Sequence, residues 1–184
     1  MVIIGIGANV PASDGTPPLA TARRAALQLG TLPGLYVRAL SRWFLTDPIP
    51  PSGQPPYVNA VALLAVEPSV ALPDPAGLLT QLQAIETRAG RVRGERNAPR
   101  PLDLDIIAMG ESGAMVRRAP DPVVPHPRAH LRQFVLLPLL DVAPGWIHPV
   151  LRRSASDLLR DLPPQGVRPI SSAAPSDVAS NGSC

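Results

Sequence analysis

Residues 47–56 read DPIPPSGQPP. Five of the ten are proline, whose ring fixes φ and removes the backbone donor that helices and sheets need, so no regular element passes through. On either side the chain is extended. Over 35–46, Leu35, Val37, Ala39, Ser41, Trp43 and Leu45 alternate with Tyr36, Arg38, Leu40, Arg42 and Phe44, the period of a strand. Residues 57–67 (YVNAVALLAVE) read as a second long strand.

Further elements flank this pair. Residues 2–7 (VIIGIG) read as a short buried strand, followed by a turn-rich stretch over 9–16. Residues 17–29 read as a helix, with Thr16 as its N-cap, proline in its first turn and Gly30 at its exit. A second helix runs from Asp74 to about Ala89, with Leu78, Leu79, Leu82 and Ile85 as its apolar face and Gly90 at its close. An arginine-rich loop over 91–101 leads into a strand over 102–109. The order is β-α-β-β-α-β, which predicts an α+β, ferredoxin-like core: an antiparallel sheet with both helices on one face. Short additional elements are expected over 124–150. Residues 1–162 read as one domain, and the Pro-, Ser-, Ala- and Gly-rich residues 163–184 as a mobile tail.

Composition narrows the function classes. No apolar run approaches the roughly 20 residues of a membrane span; the longest are cut by Pro138, Asp141 and Pro144. No basic residue precedes the N-terminal apolar stretch, against a secretory signal. The single cysteine, Cys184, allows no internal disulfide and fits a reducing cytoplasm. All 17 basic residues are arginine, but a net charge of +3 with six aromatic residues supplies a nucleic-acid stacking surface poorly.

One segment resists a purely structural reading. Residues 98–107 read APRPLDLDII. In a strand, Leu102, Leu104 and Ile106 share one face, and Asp103 and Asp105 the other. The two carboxylates would sit about 6.6 Å apart at the usual rise and repel by about 2.5 kcal/mol at an effective dielectric near 20. Either water screens them on a solvated face, or something positive sits between them. Arg91, Arg93, Arg96 and Arg100 precede them within the loop, and two long loops, 47–56 and 91–101, reach the same sheet face. Paired hard oxygens suit Mg²⁺, which takes one or two carboxylates plus substrate phosphates. Carboxylates, Mg²⁺ and arginines together are the equipment of phosphoryl transfer from a nucleotide.

Four blocks in order carry a family resemblance: IGIGANV (4–10), FLTDPIPPSGQPPYVNAV (44–61), QAIETRAGRVRGERNAPRPLDLDI (83–106) and VVPHPRAHLRQFVLLPLLDVAP (123–144). Over residues 2–150 the chain resembles the 6-hydroxymethyl-7,8-dihydropterin pyrophosphokinases of folate biosynthesis. The resemblance implies transfer of the β,γ-diphosphate of ATP to the pterin hydroxymethyl oxygen, with two Mg²⁺ ions on Asp103 and Asp105. It implies that Arg91 and Arg100 grip phosphate during transfer, with Arg93 a further loop arginine. Gln83 and Glu86 would line the nucleotide side, and His126 and Arg132 would contact the ATP phosphates. Thr46, Tyr57, Asn59 and Phe134 would form the pterin pocket. ATP and the pterin would be the only partners, with no nucleic acid and no membrane, and the protein a cytoplasmic monomer.

The chain departs from the better-known pattern at Asp47, Asn97 and Pro127, which bears on how the loops close over the ligands. Three other readings compete: a pterin- or nucleotide-binding module without turnover, an arginine-rich RNA-binding domain, and a dinucleotide binder suggested by GIGAN. The last lacks the third glycine, and carboxylates on the exposed face oppose the second.

Overall fold

The computed structural model describes residues 1–48, 51–92 and 98–171. In chain order its elements are β1 (Val2–Ala8), α1 (Pro18–Leu29), β2 (Leu35–Leu40), β3 (Phe44–Thr46), β4 (Tyr57–Val66), α2 (Pro75–Arg88), β5 (Asp103–Met109), α3 (Gln133–Val142), β6 (Ile147–His148), β7 (Arg153–Ser154), α4 (Ala155–Arg160) and β8 (Val167–Pro169). The main sheet runs β5-β1-β4-β3-β8, with β2 also on β4, and every pairing is antiparallel. It is an α+β fold. No helix among the described residues is long and apolar enough to cross a membrane.

Alternation along the strands splits the core in two. Val2, Ile4 and Ile6 of β1 join Leu104 and Ile106 of β5 in a cluster with Leu29 of α1 and Leu78, Leu82 and Ile85 of α2. Full burial of each such side chain stabilises by about 2 kcal/mol. Ile3, Val61, Leu63 and Ile107 face the other way, against Val135, Leu136 and Leu139 of α3 and Leu158 of α4. The second face is therefore roofed along part of its length, and the unroofed part holds the site.

Three expectations are corrected. The single strand expected over 35–46 is two, β2 and β3, both paired with β4. Ser41 makes the break: its hydroxyl accepts from the Val61 amide at 2.9 Å and donates to the Arg42 carbonyl at 2.7 Å. A side chain there replaces a backbone rung, and the strand bends. Thr16 does not cap α1. Pro17 holds the N-cap position without a side-chain bond, and prolines there leave fewer orphan donors to satisfy. Asp74 does cap α2, accepting from Ala76 and Gly77 at 3.1 and 3.0 Å.

The third correction concerns only the first part of the expected tail, since residues 172–184 lie outside the described residues. Residues 167–169 are strand β8, in register with β3 (Thr46 opposite Val167, Phe44 opposite Pro169). An edge strand needs unpaired donors and acceptors to pair with, and β3 supplies them regardless of the segment's proline content.

Candidate active site

Glycine makes the floor. On the face away from α1 and α2, β1 presents Gly5 and Gly7, between Asp105 and Asp103 of β5 and Val61 and Asn59 of β4. A Cβ at Gly7 would lie 3.3 Å from Asn59 Oδ1 and 3.8 Å from Asp103 Cβ; one at Gly5 would lie 3.2 Å from Ile107 Cδ1. Their absence leaves a trough between acids and amide, part of a cavity of about 280 Å³. The paired aspartates face this cavity and not an open wall.

Asp103 and Asp105 differ sharply in their surroundings. Asp103 is held by two arginines: Arg91 Nη1 on one oxygen, and Arg100 Nη1 on the other at 3.2 Å. Arg91 also bonds Glu86, which is 4% exposed at the end of α2 and accepts the Leu104 amide at 2.7 Å. Glu86 thus anchors both Arg91 and the backbone of β5. Among the described residues Asp105 has no such clamp; His126 Nε2 stands 3.9 Å from it. Its carboxyl, 40% exposed, is pushed up to about 6, first by desolvation within the cleft and then by the charge of Asp103. A carboxylate so undercompensated is a place for a cation.

The opposite wall comes from residues 126–134. The His126 amide donates to the Ile107 carbonyl at 2.9 Å, tying this segment to β5. His126 Nδ1 accepts from the Arg128 amide at 3.1 Å, so the ring proton sits on Nε2, the nitrogen toward Asp105. Burial, then Arg132 and Arg128, push the ring down to about 4, so it is neutral at physiological pH. Arg132 stands 5.3 Å over the Phe134 ring. Burial and the neighbouring Arg128 lower its proton affinity, a cationic pair ready for an anion.

At the far end Asn59, 6% exposed, donates from Nδ2 to Thr46 Oγ1 at 3.0 Å. Tyr57 and Phe134 complete that end of the lining. The Tyr57 hydroxyl donates to Gln54 Oε1 at 3.0 Å, and Asn9 Nδ2 donates to the same oxygen at 3.1 Å. Asn9, 2% exposed, also exchanges two bonds with the Arg100 backbone, 2.8 and 3.1 Å long. It is the bracket that joins the proline loop to the arginine loop.

Thr46, Tyr57, Asn59, Arg91, Arg100, Asp103, Asp105, His126, Arg132 and Phe134 therefore meet in one cavity. Gln83 does not: it is half-buried on α2, outside the lining. Glu86 is outside the lining too, buried beneath Arg91. Arg93 and Asn97 lie outside the described residues, as do parts of both loops. Sequence reasoning passed over Asn9, Gln54, Arg128 and the floor glycines. The GIG spacing on a buried strand was the available signal for the floor.

Comparison with known proteins bears on the same residues. The family model for 7,8-dihydro-6-hydroxymethylpterin-pyrophosphokinase (HPPK) matches residues 3–144. The chain is 33% identical over 168 residues to the 2-amino-4-hydroxy-6-hydroxymethyldihydropteridine pyrophosphokinase of Synechocystis, covering 91% of this chain and 79% of that one. It is 41% identical over 136 residues to the like-named protein of Pseudomonas aeruginosa, covering 74% and 78%. A crystal structure of Plasmodium falciparum HPPK-DHPS superposes with a TM-score of 0.61 at 12% identity, over 86% of this chain and 42% of that one. That likeness is one of fold, and this chain spans less than half of the larger one. With two acids, four arginines and an amide slot gathered over a glycine floor, and the family's model matched across all of them, the chain belongs to the 7,8-dihydro-6-hydroxymethylpterin-pyrophosphokinase family.

Proposed function

We propose that this cavity transfers the β,γ-diphosphate of ATP to the hydroxymethyl oxygen of 6-hydroxymethyl-7,8-dihydropterin, releasing AMP. The observation that carries the reading is the pairing of Asp103 and Asp105 in one cavity with Thr46, Asn59 and Phe134, across a glycine floor. The core strand order β5-β1-β4-β3, with α1 and α2 on one face, supports a ferredoxin-like, split βαβ topology. The chain is read as a cytoplasmic monomer, ATP and Mg²⁺ as reactants suiting that compartment.

The acids fit Mg²⁺. Among the described residues no three His, Cys, Asp or Glu side chains cluster as a closed metal cage. Two carboxylates with room for phosphate oxygens is the donor set this ion favours, and among the described residues Asp105 has no arginine clamp of its own. Asp103 and Asp105 would hold two ions, which neutralise triphosphate charge and ready the hydroxymethyl oxygen for attack.

The chain's own residues do the positioning. His126 Nε2–H and the Arg128–Arg132 pair present donors to phosphate oxygens from the α3 wall. Arg100 rests on Asp103 at 3.2 Å, and the charge of an incoming diphosphate would draw it away as cations take over the aspartate. Arg91 stays between Glu86 and Asp103, keeping the acid's orientation. Asn59 and Thr46 offer paired donor and acceptor atoms to a pterin edge, and Phe134 a face for its ring. No strong general base is required, because positioning and charge stabilisation dominate this chemistry.

Incubation of the chain with ATP, Mg²⁺ and the hydroxymethyldihydropterin is expected to yield AMP and the pterin diphosphate. Release of ADP, or no nucleotide turnover, would sink the reading. Under the same assay Arg100→Ala is expected to lower kcat by about a hundredfold while ATP affinity falls only a few-fold. Equal losses in both would make Arg100 a binding residue and nothing more.

A further inference from the structure

After α4 the chain crosses the edge of the sheet from one core to the other. Leu162 packs with the α3 and α4 core, and Ile170 with the α1 and α2 core. Between them every step is tied down. Gln165 makes three hydrogen bonds to the start of α3. Its Oε1 accepts from the Gln133 amide at 2.8 Å, its amide donates to Gln133 Oε1 at 3.1 Å, and its Nε2 donates to the Leu131 carbonyl at 3.0 Å. The N-cap residue of α3, Arg132, provides no side-chain bond, so Gln165 supplies the cap from 32 residues away.

Gly166 then turns with φ +63°, and its backbone passes so close to Asp47 that a Cβ would lie 2.8 Å from Asp47 Oδ2. Only glycine serves here. Val167 pairs with Thr46, Arg168 reaches Asp47 Oδ1 at 3.6 Å, and the Ile170 amide donates to the Trp43 carbonyl at 2.7 Å.

These contacts fall on two facing walls. Leu131 and Gln133 flank Arg132 and lead into Phe134; Thr46 and Asp47 line the wall across the cavity. We propose that residues 165–170 are a strap that holds the start of α3 and strand β3 at a set separation. Gln165 is then a positioning residue that fixes the width of the cavity's ring-binding end. The assignment rests on reading Thr46, Asn59 and Phe134 as the pterin's walls. A flat ring binds through contact on both faces at once, so a slot that widens loses the ring before it loses the phosphates. A misplacement of about 1 Å can cost a reaction a hundredfold. Of the phosphate-facing groups, Asp103 is held by Arg91 and Glu86 and His126 by the Ile107 carbonyl, independently of the strap. Arg132 sits between the strapped Leu131 and Gln133.

The test uses the full chain carrying Gln165→Ala, and a second variant that ends after Pro164. For Gln165→Ala, which removes the side chain's two hydrogen bonds to Gln133 and Leu131, the KM for the pterin is expected to rise about tenfold. Affinity for a non-hydrolysable ATP analogue should fall less, by about threefold at most, because Arg132 alone among the phosphate-facing groups named sits between strapped residues. Gln165→Glu, which keeps the acceptor for the Gln133 amide, should recover part of the loss, and the shortened chain should lose more. An unchanged pterin KM in both the alanine and the shortened variants would overturn the strap. So would parallel losses in pterin and nucleotide affinity that track a falling Tm.

Should the unaltered chain make no AMP at all, the functional reading fails and the strap is judged without ligands. Gln165→Ala must then speed hydrogen exchange at both the Gln133 amide and strand β3. Exchange unchanged at either wall would overturn it.

Discussion

Asp105→Ala is expected to abolish AMP formation, by roughly a thousandfold or more, while the chain keeps its fold. The scale is that of removing a preorganised charge stabiliser from a water-poor site. Asp103 cannot substitute, because a pair of ions needs both carboxylates. Stability should move the other way. Asp105 binds its proton more tightly in the folded chain, at about 6 against an ordinary value of 3.8. A raised carboxyl costs stability as pH climbs through that window, with the full cost present above it. In metal-free buffer, Asp105→Asn should therefore melt higher than the unaltered chain at pH 7, and the gain should vanish near pH 4. Near-normal Mg²⁺-dependent turnover by Asp105→Ala would refute the site, and a lower Tm for Asp105→Asn at pH 7 would refute the electrostatic account. The opposed signs are those of a site that trades stability for function.

Glu86→Ala should do the reverse, harming the fold before the chemistry. The change strips a partner from Arg91 and leaves the Leu104 amide without its acceptor inside the protein. Breaking a buried pair from one side costs about 3–5 kcal/mol, which in a chain this long lowers Tm by roughly 10 °C. Glu86→Gln keeps an oxygen for Leu104 and gives up only the charge, so about 1–2 kcal/mol is expected. Thermal melts of the three proteins decide the matter. A Glu86→Ala chain melting within about 2 °C of the original would show that Arg91 and β5 are anchored elsewhere.

Glu86 also shows where reading a sequence stops. The family resemblance implied a place on the nucleotide side, and the helix itself was legible from Leu78, Leu82 and Ile85. Which way its carboxylate points depends on where Arg91 and the Leu104 amide arrive, and those come from separate segments. Ser41 is a similar case. Period-two alternation runs unbroken through it, so 35–46 read as one strand, yet its hydroxyl intercepts the Val61 amide and bends the chain. The tail misled for a third reason: its composition describes what the segment would do alone, and β3 offers it an edge.

What the sequence determined by itself is local and periodic. Proline confined the strands, alternation set Leu104 and Ile106 apart from Asp103 and Asp105, and the four blocks named the family. What only the tertiary structure decided is which polar groups share a partner: Asn9 bracketing two loops, Glu86 beneath Arg91, Gln165 capping α3 across the sheet edge. Burial follows from periods written in the chain. A hydrogen bond between distant residues depends on a few tenths of an ångström, set only once every element has packed.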